Sequence, residues 1–203
     1  VEFMQGNLTS AASIAKCFNE GGVKFDYCVN FAAETKYGQS EAVYEEKVLD
    51  LARKCADEAK RHGVKKFVHF STAQVYAEGK KPSDENGATE PWTQLAKYSL
   101  MAEEALKKMD LPLVILRPAV VYGPGDVSGV SPRLIVAAVY KHLGKKMKFM
   151  WSSDLALHTV HVDDVAAAVW VACEKAKPGS TFNLADENGT NQGSINTILE
   201  KIF

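Results

Sequence analysis

With 203 residues, 24 basic against 25 acidic side chains and a formal net charge of −1, the chain lacks the basic excess expected of a nucleic-acid or membrane-surface protein. Apolar residues at 46% and charged residues at 24% exclude disorder, collagen and coiled coil. No stretch approaches ~18 uninterrupted apolar residues, and Cys17, Cys28, Cys55 and Cys173 form no Cys-x-x-Cys pair, so the expectation is reduced thiols, no metal site and a cytoplasmic setting.

Taken in chain order, strand and helix patterns alternate. Val1 to Met4 reads as a short strand. Asn7-Leu8-Thr9-Ser10 offers a helix cap, and Gly21-Gly22 closes the helix after it. Phe25 to Ala33 is apolar and ends in small residues, as a buried parallel strand does. Ser40 to His62 predicts a long helix with Val43, Val48, Leu51, Ala52, Cys55 and Ala59 on one face. Lys66 to Ser71 is the next strand, Thr93 to Met109 the next helix, and Leu113 to Leu116 a further strand that runs into Arg117-Pro118. Beyond it the pattern predicts a helix over Pro132 to His142, strands over Lys148 to Met150 and Leu157 to Val162, and a helix from Asp163-Asp164 to about Cys173. Thr181 to Leu184 is a last strand and Ile195 to Phe203 a last helix. Such alternation argues for an α/β protein with a doubly wound parallel sheet, whose ligands lie beyond the carboxyl ends of the strands.

Four segments stand at those ends: Asn30-Phe31-Ala32-Ala33-Glu34, Ser71-Thr72-Ala73-Gln74-Val75-Tyr76, Arg117-Pro118-Ala119-Val120-Val121-Tyr122-Gly123-Pro124-Gly125, and His161-Val162-Asp163-Asp164-Val165-Ala166. Each alone is unspecific, but in this order and at these separations the chain resembles the extended short-chain dehydrogenase/reductase family, the NAD(P)-dependent epimerase, dehydratase and reductase type. The resemblance implies a Rossmann-like fold, with residues 1–118 a partial NAD(P)-binding domain. Residues 119–203 would then carry substrate-side elements interleaved with the last strands. It implies NAD or NADP as cofactor. Asn7 and Leu8 would lie at the adenine, Phe31, Ala32, Ala33 and Ser71 along the cofactor, and Pro118 and Val121 beside the nicotinamide. Thr72 matches the hydroxyl that orients the substrate's reacting oxygen. His161 and Asp163 match an architectural motif in which the aspartate caps a helix.

Two departures qualify that picture. The family opens with a strand, a Gly-rich turn and a helix that binds the pyrophosphate, and no G-x-x-G-x-x-G occurs in this sequence. The resemblance would place roughly 60 or more residues before Val1, in a protein of roughly 300 residues. The family also transfers protons with a Tyr and a Lys four residues later on one helix, the ammonium lowering the phenol's pKa of about 10. Aligning Leu100-Met101-Ala102-Glu103 with that helix puts Leu95 at the tyrosine position and Ser99 at the lysine position. Tyr98, one turn along, is the remaining acid-base candidate, and its own i+4 residue is Ala102. The sequence thus supports a cofactor-responsive or structural subunit without the usual proton transfer. The alternatives are an active oxidoreductase or epimerase on a sugar nucleotide or small hydroxy or keto compound, using Thr72 and Tyr98, and a non-catalytic interaction or RNA-binding module. Expected partners are a small molecule and a second copy of the chain, paired through the Ser40–His62 and Thr93–Met109 helices; neither a membrane nor a nucleic acid is expected.

Overall fold

The structure, a computed structural model, describes residues 2–79, 83–146, 152–187 and 189–202. Helix α1 (Ala11–Asn19) starts where the Ser10 hydroxyl accepts the Ser13 N–H, and a 3₁₀ turn over Glu20–Gly22 ends it, with Gly21 at φ 76°. Strand β1 (Tyr27–Asn30) comes next. Then α2 (Glu41–Tyr44) passes through a π-helical segment (Glu45–Asp50) into α3 (Leu51–Arg61). Within that segment the Lys47 carbonyl accepts the Glu34 N–H at 3.2 Å, a bond from the loop after β1 that draws on the helix ladder where its spacing widens.

Strand β2 (Lys66–Phe70), helix α4 (Gln94–Lys107), capped by the Thr93 hydroxyl, and strand β3 (Leu113–Pro118) complete the alternation. Strands β1, β2 and β3 pair in parallel, with Asn30 opposite His69 and Phe70 opposite Leu116. Strand β6 (Thr181–Leu184) adjoins β3 and completes a four-stranded sheet ordered β1-β2-β3-β6. Ile14, Leu51, Ala52, Cys55, Ala56, Phe67, Ala102, Leu106 and Ile115 form the core between sheet and helices. Helix α3 supplies every third or fourth residue to it, which is why its small and apolar positions repeat at helical spacing.

By its internal packing the chain divides into two units, one of residues 1–117 with Val169–Asn183 and one of Pro118–Ala168 with residues 184–203. The second unit holds β4 (Val120–Tyr122) paired in parallel with β5 (Thr159–His161), together with α5 (Ser131–His142) and α7 (Gln192–Ile202), and shares α6 (Val162–Lys175) with the first. Helix α5 is capped from upstream: the Asp126 carboxylate accepts the N–H groups of Ser128, Gly129, Val130 and Ser131 at 2.6–3.0 Å. Desolvation pushes its carboxyl up, but the Ser131, Gly129 and Ser128 N–H groups, with the Ser131 side chain, win and hold it at about 2. Asp126→Ala is expected to cost ~0.5–2 kcal/mol in a urea melt, the usual worth of a cap. Because the folded pKa is depressed, that contribution is present above the ordinary aspartate range and is lost as pH falls through about 2.

The sequence pattern needs correction in several places. Residues 2–4 form no strand, since no described strand lies beside them to satisfy their backbone groups. Strand β1 is shorter than Phe25 to Ala33, β5 is shorter than Leu157 to Val162, and α7 begins three residues before Ile195. Strand β4 and the π-helical turn were not expected from the sequence. The strand expected over Lys148 to Met150 lies outside the described residues, as do Val1 and Phe203. Among the described residues no helix is long and apolar enough to cross a membrane.

Candidate functional site

In the first unit the carboxyl ends of β1 and β2 lie side by side, because Asn30 and His69 are in register. The Asn30 amide nitrogen donates to His69 Nδ1 (3.3 Å), and its Oδ1 accepts the Ala32 N–H (3.1 Å). Asn30 therefore fixes both the neighbouring strand and the turn that leaves its own. Phe31 packs against Phe70 with centroids 4.3 Å apart and the rings tilted by 35°, yet leaves 59% of its surface exposed. Ala32 and Ala33 come next as small residues at the strand end, and Ser71 and Thr72 occupy the same level beyond β2. The Thr72 hydroxyl accepts the Gln74 N–H (3.2 Å) and so caps the 3₁₀ turn Ala73–Val75. Gln74 Nε2 donates to the Tyr37 hydroxyl (2.7 Å), which joins the two strand-end loops.

Asn7 stands just before α1. Its Oδ1 accepts both the Thr9 N–H (3.0 Å) and the Thr9 hydroxyl (2.9 Å), so its amide N–H₂ is the group left to meet a ligand. Leu8 is half-buried and packs on the core. At Gly6 an added Cβ would stand 2.8 Å from Cys17 Sγ, so a larger residue there would displace the Cys17 side chain. Pro118 and Val121 belong to the second unit, where the neighbouring Ala119 and Val120 N–H groups donate to the Leu184 and His158 carbonyls. The structure thus groups Phe31, Ala32, Ala33, Ser71 and Thr72 at adjacent strand ends, with Asn7 and Leu8 in the same unit.

Tyr98 is elsewhere. It is 7% exposed, its ring lies stacked over Tyr44 at 6.1 Å, and it packs with Val48 and Leu95 between α4 and the π-helical segment. Burial and the Glu41 and Glu45 carboxylates raise its phenol above the ordinary tyrosine value, opposite to what proton transfer near neutrality requires. Lys97 Nζ lies 5.8 Å above the Tyr98 ring and 4.0 Å from Glu41, where it meets a carboxylate rather than the phenol oxygen. The Ser99 hydroxyl donates to the Leu95 carbonyl at 2.9 Å, an ordinary helix back-bond.

Trp92 is 72% exposed. Asp163 lies in the first turn of α6, and its N–H donates to His161 Nδ1 (3.3 Å), so the histidine does the capping. The four cysteines are free thiols, and burial pushes Cys28 up to about 12 and Cys55 to about 11, away from reactive thiolates.

The sequence reading missed a buried polar network beside the strand ends. Glu103, fully buried on α4, takes Arg117 Nε (2.9 Å) and Nη2 (2.6 Å) in a bidentate pair. Arg117 Nη1 donates to the Tyr76 hydroxyl (2.7 Å), which donates to Asn183 Oδ1 (2.7 Å). The Asn183 N–H in turn donates to Glu85 Oε1 (2.8 Å). Burial pushes the Glu103 carboxyl up, but Arg117, Ser71 and Lys107 outweigh it and hold it below the usual range. A glutamate between Ala102 and Leu106 on a buried helix face was the available signal, as was an arginine directly after four apolar strand residues.

Comparison with known proteins gives one consistent result. The model of the NAD dependent epimerase/dehydratase family matches residues 1–185. The sterol-4-alpha-carboxylate 3-dehydrogenase (decarboxylating) of Candida albicans is 29% identical over 192 residues, covering 89% of this chain and 52% of that protein. The enzyme WbmG of Bordetella bronchiseptica, solved with NAD and UDP, superposes with a TM-score of 0.84 at 23% identity, covering 98% of this chain and 62% of that one. The UDP-glucose 4-epimerase of Thermus thermophilus, solved with NAD, gives a TM-score of 0.80 at 20% identity, covering 99% and 68%. These likenesses show the Rossmann-like fold. The chain spans about half the length of the curated relative.

Proposed function

The chain belongs to the NAD-dependent epimerase/dehydratase family, and on that footing we propose that it serves an NAD(P)-binding protein as its strand-end framework without the family's Tyr/Lys proton transfer. It would act as a cofactor-responsive or structural subunit. The observation that carries this reading is the state of α4: leucine and serine at the two family positions, and the neighbouring tyrosine packed on Tyr44 with a raised phenol. The residues present suit one part of the cofactor. Ala32 and Ala33 let a ribose approach the backbone, and the Asn7 amide offers donors to an adenine ring nitrogen. The sequence holds no glycine-rich turn for the pyrophosphate. Bound there, a nicotinamide would supply a hydride donor or acceptor; Thr72 would orient a hydroxyl or carbonyl oxygen beside it, with leucine and serine in place of a phenol and an ammonium at Leu95 and Ser99.

Titrating NADH and NADPH into the protein isolated intact from its source tests the cofactor half, and absence of binding at millimolar concentration would sink it. A second reading, turnover on a nucleotide sugar or another hydroxy or keto compound, draws on the Thr72 hydroxyl and on relatives named as epimerases and dehydrogenases. Under it, Thr72→Ala lowers NADH-linked turnover by ~10²–10⁴-fold, the usual worth of acid-base assistance. Unchanged turnover in both Thr72→Ala and Tyr98→Phe removes it.

A further inference from the structure

We propose that Arg117 and Glu103 are a positioning pair that grips the loop Ser71–Tyr76 at its Tyr76 end, opposite a backbone anchor at Ser71, and so fixes the Thr72 hydroxyl. The inference rests on the reading of Thr72 as the group that meets a substrate oxygen. At the start of the loop, the Ser71 N–H donates to the Leu116 carbonyl (2.8 Å), one residue before Arg117. At its end, the Tyr76 hydroxyl accepts from Arg117 Nη1 (2.7 Å), and the guanidinium carbon stands 5.0 Å from the centre of the Tyr76 ring. One ion pair, 0% and 3% exposed at its two residues, thus holds the Tyr76 end of a six-residue loop whose start is tied to β3 through the backbone.

The same pair also secures the segment beyond the loop. Arg117 Nη1 lies 3.4 Å from the Glu85 carbonyl oxygen, Asn183 accepts from Tyr76, and Asn183 donates to Ser83 and Glu85. Backbone bonds from Ala77 to Ala88 and from Glu90 to Val75 fold the segment back on itself. Between the two anchors, Thr72 is held by the turn's own bonds: Gln74 N–H to its hydroxyl (3.2 Å) and Val75 N–H to its carbonyl (3.4 Å). Those two bonds are weak by their length, and a 3₁₀ turn of three residues has no helix to stiffen it. Its order therefore depends on the anchors. Charge-assisted bidentate geometry in a buried setting is what makes the anchors rigid, and a lysine in place of Arg117 would lack the planar fork that serves Glu103 and Tyr76 together.

The test is amide hydrogen exchange of the whole chain without cofactor, so that its failure is separate from any failure to bind NADH or to turn over. In Tyr76→Phe, which removes only the hydroxyl anchor, the amides of Gln74, Val75 and Tyr76 are expected to exchange about tenfold faster, the worth of one bond to a charged group. The amide of Val68, inside β2, is expected to keep its wild-type rate. Arg117→Lys is expected to behave like Tyr76→Phe. Wild-type exchange at the three loop amides in Tyr76→Phe, equal acceleration at Val68, or wild-type behaviour of a folded Arg117→Lys would each overturn the proposal. Should Arg117→Lys fail to fold, the Tyr76→Phe comparison decides by itself.

Discussion

Glu103→Gln is expected to lower the unfolding free energy by ~3–5 kcal/mol, because it leaves the buried Arg117 guanidinium without its carboxylate. A surface ion pair would be worth far less, and the difference lies in access to water. At an exposed site, solvent takes over when the partner is removed; at 3% exposure it does not reach Arg117. Urea denaturation should show the loss as a lower midpoint at constant slope. Glu104→Gln, one position along on an exposed face, should stay within about 0.5 kcal/mol of wild type. The double replacement Glu103→Leu with Arg117→Met should recover much of the loss, since removing both charges leaves neither unpaired. A single-variant loss below about 1 kcal/mol would mean that water reaches the pair after all.

The second large effect is on pH dependence. Burial of His69 lowers its imidazole to about 4, with the Glu103 carboxylate pulling weakly the other way. The folded ring therefore stays neutral where the unfolded ring, near 6.5, already takes a proton. Between those values the unfolded chain binds more protons, so stability rises with pH and is lost as pH falls from 6.5 toward 4. The loss over that window is expected to be about 3 kcal/mol, read as the slope of unfolding free energy against pH. His69→Gln keeps an acceptor for the Asn30 amide and should flatten the curve in that window. Glu103, whose carboxyl is held below its usual range, acts in a lower window: its contribution persists above the ordinary carboxylate value and disappears as pH falls through the depressed one.

Much of this architecture was legible from residue order. Periodic apolar positions located α3 and α4, continuous apolar runs located β2 and β3, and the small residues after Asn30 marked a strand end. What stayed hidden depends on contacts far along the chain. The π-helical turn at Glu45–Asp50 receives the Glu34 N–H on its Lys47 carbonyl, and no local propensity encodes that bond. Strand β4 has three residues and exists through its pairing with β5, nearly forty positions away. Glu103 stands out as a charge among the apolar positions of α4, but only the fold brings it to Arg117. Leu95 and Ser99 were the clearest functional signal in the sequence, and the packing of Tyr98 on Tyr44 adds the reason why that tyrosine is a poor stand-in.

A strand-end framework suited to part of a dinucleotide, joined to an α4 with no phenol-ammonium pair, is the central claim. It is tested most directly by titrating NADH into the intact protein and its Tyr98→Phe variant, following nicotinamide fluorescence and its slow decay together. Equal affinity in the two proteins, with the same rate of NADH loss, is the expected result. A drop of ~10²-fold or more in that rate in Tyr98→Phe would contradict it, because Tyr98 would then be handling the proton.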